Sequence, residues 1–364
     1  MTPFADCYRG KTVLLTGHTG FKGSWLAFWL HRLGAKVVGY STPAPSDPAH
    51  FPLLKLPIES HIADIRDLAK LEAVVGKARP DIIFHLAAQP LVRRSYREPV
   101  ETYSSNVLGT LNVLEAARHT GGVGAIVVVT SDKVYSNRES ETGYTEADRL
   151  GGYDPYSSSK ACCEFLAASY RDSYFPLAKY GSAHHTLLAT VRAGNVIGGG
   201  DWAEDRLLPD AVRAASAGVP MVIRSPKSVR PWQHVLEPLS GYLCVGQRLL
   251  AKEPTAATAW NFGPADEGNQ NVETIVGRFK SAWPKLSVDY QVDPNAPHET
   301  KVLKLDSGKA ARELGWRPAW TWTDAVDRTA TWYRTHHESG GLRTADDLDA
   351  YLSAARQGGI AWAG

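Results

Sequence analysis

The chain of 364 residues is 43% apolar and 21% charged, the make-up of an ordinary globular protein, which excludes the disordered, collagen-like and fibrous classes. Its 40 basic and 38 acidic residues leave a formal charge of +2 with no long run of either sign, which argues against a general nucleic-acid or membrane-surface role. No apolar stretch approaches the roughly 18 residues that span a bilayer, and Met1 to Gly10 lacks the basic-then-apolar pattern of a signal peptide, so the chain reads as cytoplasmic.

In chain order, Thr12 to Leu15 reads as a strand and Phe21 to Leu33 as an apolar helix stopped by Gly34. Lys36 to Tyr40 is a second strand, the Pro-rich Ser41 to Phe51 a loop, and His61 to Asp64 a brief third strand. A helix over Leu68 to Lys77 leads to strand Asp81 to His85, and a long helix from Val100 to Arg118 precedes strand Ala125 to Thr130. Asp154-Pro155 opens a helix running to Tyr174, with Asp as cap and Pro in the first turn, and a sixth strand covers Thr186 to Val191. The alternation is that of βαβ units, and the apolar strands suit a sheet covered by helices on both faces. The predicted fold is therefore an α/β Rossmann-type doubly wound parallel sheet with a smaller C-terminal lobe. Residues 1–195 are expected to bind the dinucleotide, 196–336 to form mainly the substrate lobe with some chain returning to the first domain, and 337–364 to be a tail.

Thr16-Gly17-His18-Thr19-Gly20-Phe21-Lys22-Gly23 places GxxGxxG directly after a strand and at the opening of a helix. One glycine makes the tight turn, one lets the backbone approach a pyrophosphate and one lets the helix pack on the sheet, while the helix N-terminus offers N–H groups to phosphate. This is a dinucleotide site by position as well as spacing. The second strand ends Gly39-Tyr40-Ser41-Thr42, without the acidic residue that would favour NAD, so these residues leave NADP open. His18 and Lys22 either add positive charge beside the phosphates or are plain solvated loop residues.

Tyr156 and Lys160 stand one helical turn apart, so an ammonium can stabilise a phenolate whose ordinary pKa is about 10. They follow a strand ending Thr130-Ser131-Asp132-Lys133, and strand C-termini of an open α/β sheet face the ligand. Four cysteines (Cys7, Cys162, Cys163, Cys244) show no CxxC spacing and read as reduced thiols, and the adjacent pairs His184-His185 and His336-His337 diverge, so no metal site is expected.

The glycine loop, His85-Leu86-Ala87-Ala88, Asn106 and Tyr156-xxx-Lys160 together resemble the extended short-chain dehydrogenase/reductases that act on nucleotide sugars. Thr130 to Tyr135, Arg192 to Trp202 and Arg230 to Val235 sharpen the resemblance to the 4,6-dehydratase branch, over about residues 10 to 335. It implies CDP-glucose or a related nucleotide sugar as substrate and NAD as cofactor, with oxidation at C4, loss of water across C5 and C6, and hydride return to C6. Tyr156 would take the C4 hydroxyl proton, Lys160 would tune Tyr156 and hold the nicotinamide ribose, and Ser131, with Thr130 as substitute, would donate to O4. Asp132 would be the acid at C6, its pKa raised by burial, and Lys133 either the base at C5 or an electrostatic stabiliser of the enolate. By the same resemblance Gly17, His18, Thr19, Gly20, Phe21, Lys22, Gly23, Asp64, Ile65, Leu86, Ala87, Ala88, Asn106, Tyr156, Lys160 and Arg192 would contact the cofactor. Asn195, Arg206 and Arg230 would join Ser131 in contacting substrate, the arginines through the fork that suits a diphosphate.

A nucleotide-sugar 4-epimerase on the same scaffold would need Tyr156 and Lys160 but no acid and base at Asp132-Lys133, and a non-catalytic dinucleotide sensor would need neither pair. The helices Val100 to Arg118 and Tyr156 to Tyr174 pair across a two-fold axis in this superfamily, which implies a homodimer or a dimer of dimers. Of 11 tryptophans, Trp25 and Trp29 read as core, whereas Trp202 and Trp232 lie inside the dehydratase-like motifs and are expected near substrate.

Overall fold

The computed structural model describes residues 2–140, 142–291 and 302–364. Its central sheet contains β1 (Thr12–Thr16), β2 (Lys36–Ser41), β3 (Glu59–Ile62), β4 (Ile82–His85), β5 (Ala125–Val129), β6 (Leu187–Ala193) and a last strand, Ala259–Phe262. Their order is Ala259–Phe262, β6, β5, β4, β1, β2, β3, and every pairing is parallel. The strand order reverses between β1 and β4, so the crevice of a doubly wound sheet opens beyond their C-terminal ends. Residues of β4, β5 and β6 are buried throughout, as expected of strands covered on both faces.

Three elements differ from the sequence reading. The third strand begins two residues earlier, at Glu59, and most of it is exposed. It is an edge strand, where backbone pairing with β2 rather than apolar burial sets the limits, so hydrophobicity marked it poorly. The stretch expected as loop ends in a short helix, His50–Leu54. The long helix is two α segments, Pro99–Tyr103 and Gly109–Thr120, joined by a π turn over Ser104–Leu108. The helix Pro155–Ser173 starts as read, with the Asp154 carboxylate accepting from Ser157 N at 2.9 Å.

Beyond residue 195 the chain forms short pairs: Val196–Ile197 with Gln233–His234, Val229–Pro231 with Asn269–Asn271, and Met221–Ile223 with Val288–Tyr290. Helix Leu236–Leu250 is almost wholly buried and packs on β5 and β6. The Gly198-Gly199-Gly200 run makes room for rings. A Cβ on Gly199 would overlap Trp332, one on Gly200 would meet His50 at 2.5 Å, and Trp25 Nε1 donates to Gly199 O at 2.8 Å. Trp25 and Trp29 are core, as read.

The final segment is tied in through polar contacts as well as rings. Trp362 stacks on Phe4 at 5.0 Å, and Tyr351 of helix Thr344–Gln357 donates to Glu237 at 2.7 Å. Glu237 also accepts from Trp320 N at 2.8 Å and from Ala319 N at 3.1 Å. Burial pushes Glu237 up to about 7 despite these donors, and it pushes Asp347 up to about 7 as well. A carboxyl raised on folding stabilises the fold fully below its unfolded value, about 4.3 for Glu, and that stability is lost as pH rises through about 7. Glu237→Gln, neutral at every pH, should therefore melt near the parent at about pH 5 and a few degrees above it at about pH 8.5. Melting curves across that range check this, and a margin that does not grow with pH refutes it.

Candidate active site

The glycine loop joins β1 to the helix Phe21–Arg32, and its three glycines have different physical causes. Gly17 has φ +78° and a Cβ there would stand 2.7 Å from Ala87 N, so only glycine lets the loop lie against Leu86-Ala87. A Cβ on Gly23 would overlap the Gly17 carbonyl. Gly20 is different, since a Cβ would meet nothing nearer than the Gly17 carbonyl at 3.4 Å. Protein packing does not demand a glycine there, whereas close approach of a pyrophosphate to the helix N-terminus does, so the loop fits a dinucleotide.

The loop's side chains divide into two groups. Thr19 is buried and turned to the end of β2, bonding Ser41 Oγ at 2.8 Å and Thr42 O at 3.0 Å. His18 is buried against Gly39, where a Cβ would stand 2.5 Å from its ring, and it bonds Ser60 Oγ at 2.7 Å. Burial lowers its pKa to about 4, so His18 is neutral near pH 7 and supplies no positive charge to a phosphate. That corrects the expectation for His18. Lys22 does carry its amine into the crevice: Nζ lies 3.5 Å from Tyr242 Oη and feels Arg206, Asp132 and Lys160. Burial is the main cause that brings Lys22 down to about 7, with Arg206 and Lys160 adding to the fall and Asp132 opposing it.

The 3-10 turn Asp132–Val134 follows β5 and sets Ser131 and Asp132 beside Tyr156. Ser131 Oγ donates to Asp132 Oδ1 at 3.0 Å, and Asp132 Oδ2 is buried with no partner among the described residues. Tyr156 is buried and its pKa is pushed up to about 12, with the Ser131 hydrogen bond and Arg206 pulling down and Asp132 pushing up. Lys160 is also buried; its Nζ donates to Val129 O at 3.1 Å, and desolvation lowers its pKa. Lys160 thus shares the helix face of Tyr156, as spacing required, with one of its N–H donors taken by the strand. Lys133 is half-buried, its backbone N donating to Ser131 Oγ at 3.2 Å. Thr130 points away, its hydroxyl donating to Glu164 Oε1 at 2.5 Å, which leaves Ser131 as the hydroxyl on the Tyr156 side.

The remaining expected residues scatter. Leu86 N and Ala87 N each donate to Thr16 Oγ1 at 3.2 Å, which places Leu86, Ala87 and Ala88 along the crevice floor beside Gly17. Asp64 is held by Arg66, with contacts of 2.6 and 3.0 Å, and Ile65 is core against Gly109. Asn106 is not free for a cofactor: its Oδ1 accepts from Gln89 N at 2.8 Å, and its Nδ2 donates to Gln89 O at 3.1 Å and Ser159 Oγ at 2.8 Å. Arg192 is likewise withdrawn. Nε and Nη2 each bond Glu164 at 2.9 Å, and Nη1 bonds Tyr135 Oη at 2.8 Å, all within the core. Asn195 is half-buried just after β6, and Arg206 pairs with Asp201 at 3.0 Å while acting on Tyr156 and Lys22. Arg230 is buried, with Nη1 donating to Val229 O at 2.9 Å. Trp202 packs on Trp332, Tyr333 and His336, and Trp232 donates to Gln270 O at 2.8 Å, so both serve packing.

Two further residues of the site escape the sequence reading, although Gly194 lies inside the Arg192 to Trp202 motif. Tyr242, in helix Leu236–Leu250, feels Tyr156 and Asp132, but a tyrosine in an apolar helix looks like core. Gly194 gives Asp132 its room, since a Cβ would stand 3.1 Å from Asp132 Oδ2 and 2.5 Å from Pro231 Cγ.

A model of the GDP-mannose 4,6 dehydratase family matches residues 14–329. The chain belongs to this family. It is 50% identical over 351 residues to the CDP-glucose 4,6-dehydratase of Salmonella typhimurium, covering 95% of this chain and 98% of that one. The dTDP-glucose 4,6-dehydratase of Streptomyces venezuelae, solved with NAD bound, superposes with a TM-score of 0.75 at 26% identity, over 89% of this chain and 97% of that one. An epimerase from Methanothermobacter thermautotrophicus gives a TM-score of 0.80 at 26% identity, over 92% and 95%. The fold thus serves more than one chemistry, and the side chains around Tyr156 must separate them. Gly194→Ala, which crowds Asp132 and Pro231, should lower kcat by at least about tenfold while a folded, cooperative melt remains. Steady-state kinetics with a melting curve test this, and an unchanged kcat refutes the crowding argument.

Proposed function

We propose that this chain is an NAD-dependent CDP-glucose 4,6-dehydratase. The observation that carries the reading is the 50% identity across nearly the whole length of a CDP-glucose 4,6-dehydratase. The grouping of Ser131, Asp132 and Tyr156 supports it. NAD, when bound, would supply the hydride acceptor for the sugar C4 and, in its reduced form, the hydride donor for C6. Gly17, Gly20 and the first turn of Phe21–Arg32 would hold its pyrophosphate, with Lys22 as the nearby charge.

Tyr156 takes the proton of the C4 hydroxyl, with Ser131 stabilising the phenolate by hydrogen bonding and Arg206 by charge. The resulting C4 ketone makes the C5 proton acidic. Lys133, as the neutral amine, receives that proton, and Asp132, as the protonated acid, gives a proton to the departing C6 hydroxyl, so that one water leaves. An epimerase needs only the first of these steps and has no use for Asp132 or Lys133. A sensor has no use for a buried phenol beside a hydroxyl and a carboxylate.

The four free cysteines support a cytoplasmic location, and no described helix is long and apolar enough to cross a membrane. A homodimer, single or doubled, is supported by apolar exposure on two helices that pack together: Val100 is 81% exposed, Leu108 52% and Phe165 58%. The double variant Leu108→Asp, Phe165→Asp should run as a monomer in light scattering, where the parent runs as a dimer or tetramer. A monomeric parent sinks this assignment.

The activity is tested by product mass. With NAD and CDP-glucose the product should be lighter by one water; an unchanged mass with an inverted centre would establish the epimerase instead. Tyr156→Phe should give no absorbance from reduced nicotinamide. Lys133→Ala should give that absorbance but no loss of water, and equal loss of both steps would remove Lys133 from elimination.

A further inference from the structure

The catalytic turn Ser131–Lys133 is short, and two residues beside it, Thr130 and Tyr135, are anchored to one buried ion pair. Glu164 lies on the catalytic helix one turn beyond Lys160 and two beyond Tyr156, on the same face. Its two oxygens receive four donors: Arg192 Nε and Nη2 at 2.9 Å each, Thr190 Oγ1 at 2.7 Å and Thr130 Oγ1 at 2.5 Å. Arg192 continues the line to Tyr135 Oη at 2.8 Å, and Tyr135 donates to Asn261 Oδ1 at 2.7 Å on the last strand of the sheet. Glu164, Arg192, Thr130, Tyr135, Thr190 and Asn261 are all buried.

On the reading of the site as a dehydratase centre, we infer that the Glu164–Arg192 pair is its positioning device, locking the catalytic helix to both ends of the Ser131–Lys133 turn so that Ser131 and Asp132 meet Tyr156. A buried ion pair is a poor source of net stability, because hydrophobic residues of the same volume often serve as well, so the pair needs another reason to be there. Register supplies one. Apolar packing would let the helix slide on the sheet by fractions of an ångström, whereas four directional bonds on one carboxylate fix both rotation and height. Burial opposes ionisation of Glu164, and Arg192 with the two hydroxyls overcomes it, so the carboxylate is charged and each bond is charge-assisted. Glu164, with Cys163, also opposes the desolvation that drives Lys160 down.

Glu164 itself is too deeply buried for a first test, so Thr130 and Tyr135 serve. Thr130→Val keeps shape and leaves Arg192 and Thr190 on the carboxylate, removing the tether of the turn and the longer 3.3 Å contact of the same hydroxyl to Val191 O. It should lower kcat with CDP-glucose by about tenfold or more, with KM little changed, because small misplacements of reacting groups are costly. Thr130→Ser should restore kcat, and Tyr135→Phe should repeat the loss from the other end. A Thr130→Val enzyme that melts earlier but keeps its kcat, or a loss that Thr130→Ser does not restore, overturns the inference. Crystal structures of the parent and Thr130→Val read the same point without turnover: Ser131 moved from Tyr156 supports positioning, and an unmoved turn overturns it. A parent inactive on CDP-glucose would count against the functional reading alone, and the two structures would still decide the role of the pair.

Discussion

A buried line of polar groups runs from the glycine loop to the catalytic helix, and the geometry of the crevice depends on it. Thr16 Oγ1, at the end of β1, meets His85 Nδ1 at 2.7 Å and takes Leu86 N and Ala87 N. His85 Nε2 meets Thr110 Oγ1 at 3.0 Å, Thr110 donates to Asn106 O at 2.6 Å, and Asn106 reaches Ser159 at 2.8 Å. Burial takes His85 down to about 3, so the ring is neutral and can donate through one nitrogen while accepting through the other. The π turn over Ser104–Leu108 includes Asn106, and such an insertion in a helix is where a functional demand overrides regular hydrogen bonding. The cofactor cradle and the catalytic helix are thereby parts of one rigid polar seam.

Charge follows the same logic of burial. His18, His50, His85 and His234 are all buried and brought down to about 4, 3, 3 and 3, so none contributes a positive charge near neutrality. His50 instead links Ser24 and Thr344 at 2.8 Å each, stitching the first helix to the C-terminal segment. Positive potential in the crevice is left to Lys22, Lys160 and Arg206: Arg206 and Lys160 both act on Lys22, and Arg206 also acts on Tyr156. Arg206 and Lys160 thus oppose protonation of Lys22, and a diphosphate beside it would relieve that repulsion.

Most of the architecture was legible because it rests on local signals: GxxGxxG after a strand, Asp154-Pro155 before a helix, and apolar runs for strands buried on both faces. What was not legible depends on contacts far apart in the chain. Asn106 and Arg192 look like ligands in sequence, since a polar residue in a motif reads the same whether its partner is a cofactor or Gln89 and Glu164. The Gly198-Gly200 run carries no local sign of its purpose, since its smallness accommodates Trp332 and His50, residues roughly 130 positions later and 150 earlier. Trp202 and Trp232 were read toward substrate because their motifs are shared, and the rings turned out to pack on neighbours supplied by later elements.

On the proposed reading, elimination chemistry gives a reason for the cost carried by Asp132. A buried carboxylate oxygen without a partner costs on the order of 1–3 kcal/mol, more when charged, so folds rarely keep one without cause. Asp347 has a similar orphan oxygen, but burial holds that residue up to about 7, so a proton relieves it for much of the pH range. Asp132 differs in its surroundings: Ser131 bonds one oxygen, and the other lies beside Gly194, where the absence of a side chain keeps the approach open. A hydroxyl of the substrate is the group that would complete the set. An enzyme that only oxidised and re-reduced C4 would gain nothing from that cost, whereas one that must expel a C6 hydroxyl has a use for a carboxyl held bare beside its tyrosine.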